Sequence, residues 1–85
     1  MMRAKIVNCK KASIIKDPSS YDQTDNQLIK SVPNGEVIEI DSTNVSYDLR
    51  NRVYYRVYEF GSPIGWIYSG AVEAKMNGKQ YLNRD

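Results

Sequence analysis

The residues that could do chemistry in this chain are aromatic and basic rather than nucleophilic. Seven tyrosines, one tryptophan and one phenylalanine occur among 85 residues, whereas histidine is absent and Cys9 is the single cysteine. A thiol with no imidazole to activate it, and nothing nearby to lower its pKa, reads as a small strand residue and not as a nucleophile. No pair of carboxylates has a spacing that argues for acid–base chemistry, and Ser69 has no triad partner. The same counts exclude an intrachain disulfide and the usual His/Cys zinc sites. The expectation is a chain that binds rather than catalyses, with no metal and no cofactor.

Tyrosine joins a flat apolar ring to a polar tip, a combination suited to shallow grooves for peptides or glycans. The candidate ligand-binding residues are Tyr21 in a first long polar loop, Tyr47 in a second, Tyr54 and Tyr68 at strand ends, and Arg56. The plainer alternative is that strands favour tyrosine and that single exposed aromatics are ordinary. Arg50, Arg52 and Arg56 form a basic cluster beside Asp48 and Glu59 that could hold a ligand carboxylate bidentately. Cross-strand pairing with Glu39 or Glu59 explains the same arginines with fewer assumptions.

Those side chains have to be positioned by strands. The chain shows no repeat and no sustained 3.6-residue periodicity, but short β-branched and aromatic runs separated by Gly, Pro, Asn, Asp and Ser clusters. Strands are expected at Ala4–Cys9 and Ala12–Lys16, followed by the polar loop Asp17–Gln27. "LIKSVPNGEVIEID" reads as strand, turn and strand, with the turn at Pro33, Asn34 and Gly35. Ser42–Asn51 reads as the second polar loop. "RVYYRVYEF", Arg52–Phe60, is the clearest strand: Val53, Tyr55 and Val57 share one face, and Tyr54, Arg56 and Tyr58 the other. A tight II′-type turn at Gly61 and Ser62 returns the chain through Ile64–Tyr68. "IYSGAV" then suggests one 3-10 turn, and the Asn77–Gly78 pair suggests either a terminal hairpin or a tail.

Hydrophobic residues at 41% and charged residues at 26% suit one small globular domain. At this length it buries only about 60–65% of the surface its unfolded chain exposes. The N-terminal apolar residues are interrupted by Asn8, Lys10 and Lys11, so neither an export signal nor a membrane span is read there. A cytoplasmic chain, one released by lysis, or a fragment of a secreted protein is expected. Five basic residues precede the first acid, Asp17, but the net charge is only +2, a weaker field than nucleic-acid binders carry.

Four segments, in order, resemble bacterial SH3 (SH3b) domains. "ASIIKDPS", Ala12–Ser19, is similar to the family's "LNVRSGPS"; "LIKSVPNG", Leu28–Gly35, to "VIGTLPKG"; "YYRV", Tyr54–Val57, to "WYKV"; and "GWI", Gly65–Ile67, to "GWV". Ala12, Ile15 and Tyr54 depart from the family's usual leucine, arginine and tryptophan. The resemblance spans roughly residues 12–72 and implies an all-β, SH3-like barrel of about five strands; the domain is read as residues 1–76, with residues 77–85 as a hairpin strand or tail. A monomer is expected at this size, and the resemblance implies a non-catalytic module that recognises cell-wall peptide or peptidoglycan, as found on lytic enzymes of bacteria or phages. Such a barrel brings Tyr54 and Tyr68 together as a groove floor, with Tyr21 and Tyr47 as walls. Trp66 is expected to face away from both core and groove, over the Pro63 edge. Where eukaryotic SH3 domains use proline and tyrosine to take proline-rich peptides, this chain has Tyr68 and Ala71, so such peptides are not expected. The alternative functions are an intracellular or phage-encoded protein-interaction module and, behind it, weak nucleic-acid binding.

Overall fold

The computed structural model describes residues 1–21, 25–76 and 79–81. Among the described residues there are eight strands: β1 (Met2–Ile6), β2 (Lys11–Ile15), β3 (Leu28–Pro33), β4 (Val37–Tyr47), β5 (Val53–Glu59), β6 (Ser62–Tyr68), β7 (Val72–Met76) and β8 (Lys79–Tyr81). Among the described residues the only helical segments are 3-10 turns at Asp25–Gln27 and Ser69–Ala71. All ladders are antiparallel and join into one sheet in the order β3-β2-β6-β5-β4-β1-β7-β8. The fold is therefore all-β, with more than the expected five strands, and the sheet is not closed: β3 and β8 are its edges. β8 pairs with β7; the expected turn at Asn77 and Gly78 lies outside the described residues, as do residues 82–85.

The sheet folds over its own core. Alternation along each strand sends Ala4 and Ile6, Ala12 and Ile14, Val32, Ile40, Val57, Ile67, and Val72 and Ala74 into one buried cluster. β1 and β2 are separated in the sheet by β6, β5 and β4, yet both contribute to that cluster, which requires strong curvature. Each fully buried isoleucine contributes about 1.5–3 kcal/mol. Ile6, Ile14, Ile40 and Ile67 are thus the main apolar stabilisation of a small core.

Turn hydrogen bonds, not a ladder, draw β3 towards β1. The amide of Gly35 donates to Ile6 O (2.9 Å) and that of Ile6 to Glu36 O (2.9 Å), while the amide of Asn34 donates to Lys10 O (2.8 Å) and ties the same turn to the start of β2. Gly35 sits at φ +90°, the left-handed position of this turn, while Asn34 does not adopt positive φ. The β5–β6 hairpin has Glu59 paired with Ser62, so Phe60 and Gly61 are its central residues, at φ 52° and 80°. Positive φ at both positions is the type I′ signature, one residue earlier than the II′ turn read from the sequence.

Ser42–Asn51 is not the loop its polar composition suggests. β4 continues to Tyr47, and the pairing with β5 jumps from Asp41↔Arg56 to Val45↔Tyr55. Ser42, Thr43 and Asn44 are the extra residues. Asp41 Oδ1 accepts from the Thr43 amide (3.0 Å) and hydroxyl (2.6 Å), which supplies the bulge with the hydrogen bonds the ladder omits.

Candidate functional site

β5 and β6 lie in register with Tyr54 opposite Tyr68 and Arg56 opposite Trp66, so all four share the outer face. The Tyr54 and Tyr68 rings sit 5.7 Å apart between centroids and are inclined at 55°. The Arg56 guanidinium lies 4.8 Å from the centre of the Trp66 ring, and that of Arg52 lies 5.6 Å from the Tyr68 ring. Arginine and aromatic rings thus alternate along one stripe.

One carboxylate fixes the stripe's end. Asp48, buried at the turn between β4 and β5, accepts through Oδ1 from the amides of Arg50 (2.8 Å) and Arg52 (3.0 Å). Its Oδ2 accepts from Arg52 Nε (2.6 Å) and the Tyr54 hydroxyl (3.2 Å). Burial pushes the Asp48 carboxyl up, but the amides of Arg52 and Arg50, and the guanidinium and charge of Arg52, outweigh it and hold it at about 2. Burial, followed by the Asp48 charge, raises the Tyr54 phenol, so its hydroxyl stays a donor.

Beside this stripe the sheet opens. β2 pairs with β6 only at Ile14↔Ile67 and Ile15↔Trp66; towards Lys11 the two strands part. The gap is a groove of about 230 Å³ lined by Tyr54, Tyr68, Ile15, Ser13, Lys11 and Cys9, with Ala12, Ile67 and Ala71 beneath. Gly70 shapes its end: a Cβ there would meet the Tyr68 ring at 2.5 Å, so glycine lets the ring lie back on the 3-10 turn. Cys9 is half-buried and its thiol donates to Val7 O (3.2 Å). Among the described residues no cluster of three or more His, Cys, Asp or Glu could hold a metal ion.

Of the residues singled out from the sequence, Tyr54, Tyr68 and Arg56 come together. Tyr21 is 90% exposed in its loop and is not among the groove residues. Tyr47 pairs with Val53, on the face opposite to Tyr54 and Tyr68, so it forms no wall of this groove. The reason is parity. Asp41 shares a face with Arg56, and the odd number of residues in the bulge turns everything after it over.

Two further expectations are corrected. Glu59 pairs with Lys30 (2.7 Å) and Arg52 with Asp48, so neither of the two ion pairs described between side chains is the cross-strand one expected. Trp66 does face away from the core, but on the same face as Tyr68 and under Arg56, not over the Pro63 edge. Sequence reasoning missed Trp66, Lys11 and Ile15 as parts of this surface. It also missed Asp48 as its organiser, although an aspartate followed by polar residues at the second and fourth positions is a legible Asx-type turn.

A second concavity, of about 360 Å³, lies between the β3–β4 and β5–β6 hairpins and is lined by Val37, Ile38, Tyr58, Phe60 and Ile64 among others. No helix among the described residues is long and apolar enough to cross a membrane. Comparison of the chain with protein-family models, curated proteins and solved structures finds no match.

Proposed function

We propose that the chain is a non-catalytic binding module of the bacterial SH3 type that takes cell-wall peptide or peptidoglycan into the groove between β2 and β6. The observation that carries this reading is the Tyr54–Tyr68 pair, held beside that groove by the Asp48–Arg52 network. A preorganised aromatic wall with a few fixed polar groups suits a shallow ligand, because little side-chain freedom is lost on binding. The order of the four family-like segments supports the SH3-type assignment and brings the ligand class with it.

Cosedimentation with purified peptidoglycan tests the proposal. The wild-type chain is expected to pellet, and a Tyr54→Ala, Tyr68→Ala double variant with an unchanged circular-dichroism spectrum is expected to stay in solution. Pelleting of that variant as readily as the wild type would remove the groove from the account; a wild-type chain that never pellets would remove the ligand.

A second reading, a protein-interaction module, rests on the open sheet. β3 is an edge strand with Leu28 and Ile29 exposed, a template to which an extended segment of another protein can pair. A Ser31→Pro substitution on that edge would weaken such binding and leave peptidoglycan pelleting intact.

A further inference from the structure

We propose that the outer face of β5 and β6 reads carboxylates: Arg52 and Arg56, each laid on an aromatic ring, bind two acidic side chains of an extended peptide that crosses the Tyr54–Tyr68 pair. This deepens the groove reading and rests on it, since it names the chemistry of a ligand that reaches the same tyrosines.

Arg52, Tyr54 and Arg56 follow one another at every second position on one face of the chain, so the two arginines stand about 13 Å apart at the usual strand rise. An extended peptide has the same rise and the same alternation. Acids at its first and fifth residues therefore point to the same side with matching separation, and its third residue comes over the Tyr54–Tyr68 pair.

The arginines are also held in orientation. Asp48 engages Arg52 through Nε and saturates its own oxygens with two amides and the Tyr54 hydroxyl. The Nη edge of Arg52 is left directed away from Asp48, on a side chain about half exposed. Arg56 lies over the Trp66 ring and forms no ion pair among the described residues. Asp41 stands opposite Arg56 in the ladder, but its Oδ1 is engaged by the Thr43 amide and hydroxyl, and it forms no ion pair with Arg56. A guanidinium supported on a ring keeps its planar fork free for a carboxylate, with little freedom left to lose.

The same stripe is poorly arranged for a nucleic-acid strand. Bases stack on open ring faces, whereas Arg56 covers Trp66 and the tyrosine rings are inclined at 55°.

Trp66 is the only tryptophan in the chain and lies beneath Arg56, so its fluorescence reports on this surface. The titrants are the capped pentapeptide Glu-Ser-Tyr-Ser-Glu, its Gln-Ser-Tyr-Ser-Gln counterpart, and an oligothymidylate. The Glu peptide is expected to change the emission and to bind at least about tenfold more tightly than the Gln peptide. Arg56→Gln should cut that preference to the part carried by Arg52, while Arg56→Lys, which keeps the charge but not the fork, should retain more of it. Equal binding of the two peptides overturns the inference and leaves the tyrosine groove standing. Binding of neither overturns it as well, and peptidoglycan cosedimentation then shows whether the groove reading falls with it. Tighter binding of the oligothymidylate than of the Glu peptide overturns it in favour of a nucleic-acid surface.

Discussion

β5 is entered through a turn built on Asp48 and left through a turn made of Phe60 and Gly61, and different forces hold the two. In the first, Asp48 exchanges backbone hydrogen bonds with Arg52 and Asn51 (3.1 and 3.0 Å), while its carboxylate takes four more. Its left-handed residue is Asn51, at φ 63°, a type that tolerates this region. In the second, Phe60 occupies a left-handed position and is 98% exposed. That conformation costs a bulky residue about 1–2 kcal/mol. The entry turn fixes Arg52 and Tyr54 at the edge of the tyrosine surface. The exit turn fixes only the β5–β6 register and leaves an aromatic ring in solvent. Of the two turns, the one beside the tyrosine surface is thus the more heavily hydrogen-bonded.

The largest test of this contrast removes its centre. Asp48→Ala should lower the melting temperature by roughly 10 °C, because it strips partners from two amides, a guanidinium and a phenol. Acid reaches the same carboxylate without mutation. The Asp48 carboxyl is held at about 2 in the folded chain, against an ordinary value of 3.8. The unfolded chain then binds more protons between these values. The stability due to this group is complete above about pH 4 and is lost as pH falls to about 2. Wild-type melting temperatures should drop across that window, and those of Asp48→Asn should drop less. A parallel decline in both proteins would show that Asp48 is not the organising group.

At the other turn the sign reverses. Phe60→Asn places a residue that accepts left-handed φ in front of Gly61, the preferred I′ pair, and should stabilise by about 0.5–1 kcal/mol in urea unfolding. No gain, or a loss, would mean that the Phe60 ring makes contacts that offset its strain.

What could be read from the sequence follows the same division. The alternation in "RVYYRVYEF" and "GWIY" placed Val57 and Ile67 in the core and Tyr54 and Tyr68 outside, because period-two burial is a local property of strands. The continuation of β4 was not legible, because it depends on Asp41 bonding Thr43 through a bulge, and polar residues on a solvent face look like a loop. Tyr47 was misplaced for the same reason: the bulge reverses its face. Trp66 was misread because its role comes from a neighbour across the ladder, Arg56, which sequence separation conceals.

The most direct test of the central claim is the amide NMR spectrum of the chain titrated with a soluble peptidoglycan fragment. Shift changes are expected at Lys11–Ile15, Tyr54 and Tyr68, where β2 parts from β6, with quiet signals at Phe60 and Gly61. Shifts concentrated at Phe60, Val37 and Ile38, or no shifts at any fragment concentration, would contradict it.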